Sequence, residues 1–472
     1  MKNIKPIYLL PLAAILIATT HMRFGFSILI FLEAIPVLFY LDQTEGWRPK
    51  AILFGFLLLG WSLATAKIVT APLPWFAAFA YGTPLAIFSF GSYLAFAPFR
   101  KHQKAHWLFP ALMVSGEWIQ SSFSPLGSWG SAAYTQINNP IWLQIVSIGG
   151  IWILSYFIYF ISYQIYKGIR DGFSKPQLLK IVIPVLLLSL FGSVKLSMAG
   201  NAEYESLTVA TVGTNSTIGG PDLPAPELRR NTRVKIFERM RTASKAGAKL
   251  VVWTEGSTGL LPAEEEDFQA EVARLTDSLN ITSVVSYVVL LSTEPFFYEN
   301  KFILIDSSGV IQSTYLKHEP VPGEPCTKGT DPHILYNMDG TNLGGAICYD
   351  FDFPGLGREI SKLGADIVAV PSSDWRGIDP IHTQMATVRA IEGGFSLIRS
   401  TRWGLSAIVD PYGRIIGQMS DFNSDEKILI SSIPKQGHKT LYTVLGDWVI
   451  LLGFLLLAHA IWTNRRQRTD KK

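Results

Sequence analysis

TNLGGAICYDFDFPGLGREISKLGADIVAVPSSDWRG, residues 341–377, sets two short apolar runs on either side of a more polar middle. Gly345–Cys348 and Asp366–Val370 have the length and side-chain branching of buried strands. Pro354–Leu363 between them reads as a short helix. Cys348 is then expected at the end of a core strand, facing the loop that follows. A nucleophile held there is fixed by a rigid scaffold and still meets a substrate. A buried apolar cysteine fits the same stretch, because free cysteines are mostly buried.

The surrounding chain is that of a membrane protein with a large extramembrane part. Of 472 residues, 48% are hydrophobic and 17% charged, and the formal charge is +4. Ordinary soluble domains carry about a quarter charged residues. No basic groove is visible, which excludes a nucleic-acid partner. Two cysteines make no disulfide framework. Apolar segments run over about 4–21, 24–41, 51–67, 72–98, 106–124, 141–166, 178–198 and 441–462. A crossing helix needs about 20 apolar residues. Eight spans are therefore expected, seven before the extramembrane part and one after it.

Loop charges give a sidedness. Lys2, Lys5, Arg48, Lys50, Arg100, Lys101, Lys104, Lys167, Arg170, Lys175 and Lys180 fall on one side, with the tail's Arg465, Arg466, Arg468, Lys471 and Lys472. Arg23, Lys67 and Lys195 fall on the other. The positive-inside rule then puts both termini in the cytoplasm and the large domain outside it. Expected domains are 1–200 (seven-span membrane domain), 201–438 (extracytoplasmic catalytic domain) and 439–472 (final helix and basic tail). Glu117 and Trp118 sit in the fifth segment. A glutamate there faces either the bundle or a wet cavity. With the loop 121–140 it can line an entrance for a lipid headgroup, or it can be a helix-packing glutamate.

Within 201–438, β-rich runs recur at 205–213, 249–254, 281–290, 301–307, 344–348, 366–371, 395–400, 405–410 and 427–432. Amphipathic helices are expected at 227–247, 264–279, 355–363 and 381–393. Turn residues predict hairpins at Asp306–Gly309 and Asp410–Gly413. Glu255 ends a strand in VVWTEGS, where it is either a positioned base or a turn carboxylate. Lys317, in TYLKHEPVPGE, is either an oxyanion-stabilising cation or a solvated lysine. The set is chemically coherent: a carboxylate takes the thiol proton, the sulfur attacks an acyl carbonyl, and the lysine steadies the charge. Asp350 and Glu324 are candidate supports. His318 and His382 read as isolated, and no metal or other cofactor is expected.

VVWTEGS, TYLKHEPVPGE and GGAICYD, in this order, resemble the motifs of the nitrilase, or carbon–nitrogen hydrolase, superfamily. The apolar segments around them, and SGEWIQ at 115–120, resemble its membrane branch, the apolipoprotein N-acyltransferase family. That resemblance implies an αββα sandwich outside the cytoplasm of a bacterial inner membrane, attached to a polytopic helical bundle. It implies Glu255 as general base, Lys317 as oxyanion-stabilising residue and Cys348 as nucleophile. Glu324 matches the family's second glutamate, with Glu319 as rival, and Tyr349 and Asp350 follow the nucleophile. Trp375 matches a pocket tryptophan, though an interfacial anchor explains it equally well. The implied reaction moves a fatty acyl group from a phospholipid through a Cys thioester to the α-amino group of a diacylglyceryl-cysteine lipoprotein. The enzyme is expected to be a monomer.

The chain departs from the family in SSDWRG, where the pattern is Asn-Asp-Ala-Trp-Phe-Gly, and in Arg402-Trp403-Gly404, where it is Asn-Asn-Gly. These departures motivate one alternative, an amidase or acyltransferase with another amine acceptor. A transporter or receptor whose outer domain only binds a ligand is the alternative of a different class.

Overall fold

The computed structural model describes residues 5–201, 203–214, 223–333 and 335–469. Lys2, the start of the first apolar segment at position 4, and the tail residues Lys471 and Lys472 lie outside them. The chain divides into two compact units, one of Met1–Gly200 with Leu445–Lys472 and one of Asn201–Val444.

The helical unit corrects the expectation of eight spans. Among the described residues, four helices are long and apolar enough to cross a membrane: Trp47–Ala66, Val146–Asp171, Lys175–Gly200 and Trp448–Arg466. The first two expected spans are helices of only 12 and 14 residues, Leu9–Thr20 and Ile30–Gln43. At 1.5 Å per residue these reach roughly 20 Å, short of a hydrocarbon core of about 30 Å. Ala77–Phe96 and Ala105–Phe123 are long enough but diluted, the first by Thr83, Pro84, Ser89 and Ser92, the second by His106, Glu117, Gln120 and several serines. Apolar composition alone does not give crossing length, because the α-helices within 4–21 and 24–41 begin only at Leu9 and Ile30.

The second unit is built on two open sheets, neither closed into a barrel. Its strands are β1 (Ser206–Val212), β2 (Leu250–Trp253), β3 (Gly259–Leu260), β4 (Thr282–Thr293), β5 (Phe296–Ile305), β6 (Ile311–Leu316), β7 (Tyr336–Met338), β8 (Thr341–Gly345), β9 (Ile367–Ser373), β10 (Ser396–Arg402), β11 (Leu405–Val409), β12 (Ile415–Ser420) and β13 (Ile428–Pro434). One sheet runs β13-β1-β2-β4-β5-β6 with β3 beside β4, and the other runs β12-β11-β10-β9-β8-β7. The expected hairpins are β5–β6 and β11–β12.

Alternation along the first sheet assigns its faces. Val209, Leu250, Val252, Val284, Phe302 and Leu304 join a core shared with Ile367–Val370, Leu397 and Ile398 of the second sheet. Their neighbours Ala210, Val251, Trp253, Val285 and Ile303 turn to the opposite face. There they pack on Ile236, Phe237 and Met240 of helix Pro226–Lys245 and on Phe268 and Val272 of helix Glu265–Leu279. Helices Pro354–Leu363 and Ile381–Gly393 contribute Ile360, Ala386 and Ala390 to the second sheet's cover. The layers therefore run helix, sheet, sheet, helix. Parallel β8, β9 and β10 are covered on both faces, which is why β9 reads as an unbroken apolar run.

Candidate active site

Cys348 does not end a strand. β8 stops at Gly345, whose missing Cβ leaves room for the Phe302 ring; a Cβ there would come within 2.6 Å of it. The chain then turns sharply, and Cys348 takes the left-handed conformation with φ +46° at the start of a 3₁₀ helix, Cys348–Asp352. That region costs a non-glycine residue about 1–3 kcal/mol and is found where surrounding structure over-determines it. Asp350 does so here. Its Oδ2 accepts from the Ile347 N–H at 2.8 Å and the Tyr315 hydroxyl at 2.9 Å, and its Oδ1 accepts from the Glu319 N–H at 2.7 Å. One carboxylate thus ties the Cys348 turn to the loop after β6. The Cys348 thiol is 2% exposed and donates to the Ser373 carbonyl at 3.5 Å. Burial pushes the thiol well above its usual pKa and Glu255 adds to this, while Lys317 and Arg399 pull the other way.

Glu255 lies two residues past β2, followed by Gly256 at φ +55°. Its N–H donates to the Ser372 carbonyl at 3.2 Å, next to the carbonyl that receives the thiol. Lys317 follows β6 directly, and its N–H donates to Asn300 at 2.9 Å. The buried Lys317 ammonium donates to Glu255 Oε1 at 2.9 Å and to Glu324 Oε2 at 2.7 Å. Asn300 Nδ2 bridges the two carboxylates at 2.7 and 3.0 Å, and the Tyr298 hydroxyl and Val321 N–H also serve Glu324. Burial opposes the Lys317 charge, but Glu255 and Glu324 outweigh it and hold the ammonium well above the ordinary lysine value. Burial likewise opposes the Glu324 charge, and Lys317 keeps that carboxylate below the usual range. Glu324 is thus the glutamate that meets Lys317. Glu319 instead pairs with the exposed Lys328 at 2.9 Å.

A second buried cluster escaped the sequence. Asp374 Oδ1 takes His382 Nδ1 at 2.7 Å and Arg399 Nη2 at 2.9 Å, and His382 Nε2 reaches Asp352 Oδ1 at 3.1 Å. Arg399 also donates through Nε to Thr383 at 3.0 Å. Burial works against a charged His382, yet Asp352 and Asp374 prevail over it and over Arg399, and its pKa is raised to about 9. Cys348, Asp374 and His382 offer donor atoms within 4.8 Å of one another. That spacing suits a metal ion, but Arg399 and an imidazolium already supply positive charge to Asp374. Nothing local predicts the cluster: Asp352 and Arg399 are far apart in sequence, and the parallel β9–β10 register with helix Ile381–Gly393 brings its members together.

The remaining expected residues fall as follows. The Tyr349 ring packs edge-on to Phe353, and Trp375 is half-buried two residues past β9. In the helical unit Glu117 accepts four hydrogen bonds, from Ser131 (2.8 Å), Ala132 N–H (3.0 Å), Ser155 (2.7 Å) and Tyr159 (2.8 Å). Trp118 donates to Asp447 at 2.9 Å, and Trp152 donates to its other oxygen at 2.8 Å. Both residues thus have partners that join helices of this unit.

Residues 208–440 match the carbon–nitrogen hydrolase family, and residues 13–163 match the apolipoprotein N-acyltransferase N-terminal domain. The chain is 27% identical to the apolipoprotein N-acyltransferase of Shewanella oneidensis over 97% of its own length and 96% of that protein's. It is 27% identical to the protein of the same name from Borreliella burgdorferi, over 73% and 72% of the two chains. Among solved structures it is similar to an amidase from Nesterenkonia sp., at 20% identity and a TM-score of 0.41, over 50% of this chain and 93% of that one. It is a multi-pass membrane protein with an extramembrane catalytic unit of the nitrilase superfamily. With both domains matched in order along nearly the whole chain, it belongs to the apolipoprotein N-acyltransferase family.

Proposed function

We propose that this enzyme carries a fatty acyl group from a phospholipid to the α-amino group of a lipoprotein's diacylglyceryl-cysteine, by way of a thioester on Cys348. The observation that carries the reading is the buried Glu255–Lys317–Glu324 array, of which Glu255 and Lys317 act on the Cys348 thiol. A thiol held this far up is neutral at physiological pH, so a base must take its proton as it attacks. Glu255 is that base. As the sulfur bonds to the ester carbonyl carbon, the proton passes to Glu255 and the carbonyl oxygen becomes an oxyanion. Lys317, fixed as an ammonium, stabilises it. The carbon–oxygen bond to glycerol then breaks, and Glu255 returns the proton to the departing lysophospholipid. In the second half the acceptor amine attacks the thioester and gives a proton to Glu255. The carbon–sulfur bond breaks, and the thiolate recovers the proton. Glu324 holds Lys317 in place, and Asp350 holds the nucleophile's turn.

Lys167 and Arg170 at the end of helix Val146–Asp171, Lys175 and Lys180 at the start of Lys175–Gly200, and Arg465 and Arg466 at the end of Trp448–Arg466 share one side, which supports a bacterial inner-membrane location with both termini in the cytoplasm and the catalytic unit on the outer face. Incubation of the full-length protein with a defined phospholipid, followed by intact-mass measurement, tests the reading. An acyl adduct is expected on the wild type and none on C348A. A lipid-derived thioester on C348A refutes it.

A further inference from the structure

One cavity is built by the helical unit alone. It holds about 370 Å³, inside the range of about 300–1,000 Å³ usual for small-ligand pockets. The turn after helix Ile30–Gln43, the first turn of helix Trp47–Ala66 and the end of helix Ala77–Phe96 with the 3₁₀ turn behind it converge there. Lys50, Arg100 and Lys101 line it beside one acid, Glu45. Arg100 is fixed, with Nη1 donating to the Leu41 carbonyl at 2.6 Å and Nη2 to Glu45 Oε1 at 3.1 Å. Asp42, just before that turn, faces Arg170 at 3.6 Å instead. Lys50 and Lys101 have no ion-pair partner among the described residues. Three cations against one acid leave this wall with two positive charges in surplus.

The helix end that enters the cavity adds to its field. Gly46, at the N-cap of Trp47–Ala66 with φ +91°, brings no side-chain oxygen to the free N–H groups, and no acid stands in the first turn. Arg48 and Lys50 stand among its first four residues, against the sign of charge that a helix N-terminus favours. An anion there relieves both. Trp47–Ala66 is one of the four helices able to cross a membrane, so its first turn lies at a bilayer surface. Trp47 is 73% exposed, with Arg48 5.7 Å from its ring, as suits the interface. A basic membrane side explains lysines scattered over its loops. It gives no reason for three cations to close on one cavity at an uncapped helix end.

We infer that this cavity binds the phosphate headgroup of an anionic glycerophospholipid of the surrounding bilayer. Lys50 and Lys101 meet the phosphate, and Arg100 ties together the two turns from which they extend. Basic pockets between membrane helices take lipid headgroups in this way. The same wall includes Leu41, Leu94 and Ala97, apolar surface suited to the glycerol and upper chain carbons. A free phosphate ion uses the cations and leaves that surface idle, which favours the lipid. The site belongs to the helical unit and takes no part in the reaction at Cys348. Its role is to hold the enzyme to anionic lipid.

The test titrates full-length protein in detergent with ether-linked phosphatidylglycerol or ether-linked phosphatidylcholine and counts retained lipid by native mass spectrometry. Ether lipids carry no acyl ester to transfer, and any lipid held at the catalytic unit is common to all variants. Lys50 and Lys101 are exposed, so K50Q and K101Q fold. K175Q removes an exposed cation of the same basic side that does not line the cavity. The wild type is expected to hold phosphatidylglycerol more tightly than phosphatidylcholine. K50Q and K101Q are each expected to weaken phosphatidylglycerol binding about fivefold and the double variant about twenty-five-fold, with K175Q at the wild-type value. Equal affinity for the two lipids in the wild type overturns the site, and so does wild-type affinity in the double variant. A loss in K175Q as large as in K50Q assigns the effect to diffuse surface charge and overturns it too. Inorganic phosphate that displaces phosphatidylglycerol at equal concentration gives the cavity to a free anion and overturns the lipid assignment.

Discussion

Replacing Lys317 by methionine tests the buried charge array directly. Methionine keeps much of the side chain's length and removes its charge. The ammonium lies 2.9 Å from Glu255 and 2.7 Å from Glu324, with side-chain exposures of 2%, 6% and 13% for the three residues. At an effective dielectric of about 20, each attraction is about 6 kcal/mol. Dehydration of the ions offsets most of this. Removing one partner from such an array nevertheless costs about 3–5 kcal/mol, because the other charges stay buried and uncompensated. For a unit of this size that is a fall in Tm of about 6–20 °C.

The deficit depends on pH. In the wild type Glu324 is held below the usual carboxylate range. Its contribution is present above the unfolded carboxylate pKa and is lost as pH falls through its folded value. In K317M the two carboxylates face each other without a cation, and the folded state takes up a proton to relieve them. Acidification then stabilises the variant more than the wild type, because the His382 contribution is common to both. The assay is thermal unfolding of full-length protein in detergent at pH 8 and pH 5, followed by intrinsic fluorescence. The Tm gap between the two proteins is expected to be wide at pH 8 and narrower at pH 5. Acyl adduct formation is expected to be lost at both. A gap under about 2 °C at pH 8, or one that widens on acidification, refutes the claim that Lys317 neutralises two ionised carboxylates.

Two other buried groups give sharp expectations. His382, with a folded pKa of about 9, contributes stability that is complete below its unfolded value and lost as pH rises through 9. The contribution is about 3 kcal/mol, so the wild type should lose that much between about pH 6.5 and 9 while H382Q stays flat; equal slopes in the two proteins refute it. Glu117 accepts four hydrogen bonds inside the helical unit. E117Q turns one acceptor oxygen into a donor and should destabilise that unit by about 1–3 kcal/mol, read as a lower melting temperature in detergent, and an unaltered melt refutes a packing role.

What the sequence revealed depended on how local the signal was. Helices 227–247, 264–279, 355–363 and 381–393 lie within one or two residues of Pro226–Lys245, Glu265–Leu279, Pro354–Leu363 and Ile381–Gly393. In each, an apolar face repeats within one short window. β7, β12 and β6 were missed because YNM, IIGQMS and IQSTYL are half-exposed strands at or near sheet edges, with too few buried positions to leave a pattern. Cys348, Glu255 and Lys317 stood out because each follows a β-rich stretch. Asp352, Asp374, His382 and Arg399 did not, because sheet register and helix packing bring them together rather than spacing. The membrane spans failed for another reason. Hydropathy sums residues without seeing where a helix begins, so two apolar segments hold only short helices, and polar residues dilute two others.

On the proposed mechanism, the high thiol pKa favours acyl transfer over hydrolysis. A strongly acidified thiol is present as thiolate without help, but its nucleophilicity falls with its pKa. Cys348 is at the other extreme, nearly dry and with its thiol pKa pushed up, and on the proposed mechanism it depends on Glu255 for each activation. Such a sulfur is a strong nucleophile once deprotonated, which suits attack on an unactivated ester. It is a poorer leaving group, so the thioester persists until a good nucleophile arrives with a base to accept its proton. Water meets the same barrier, and it must also enter a site where the sulfur is 2% exposed. An amine brought in on a bound substrate enters with part of its ordering cost already met. On the proposed mechanism, then, Glu255, Lys317 and Cys348 set the timing of the chemistry and leave the choice of acceptor to the residues around them.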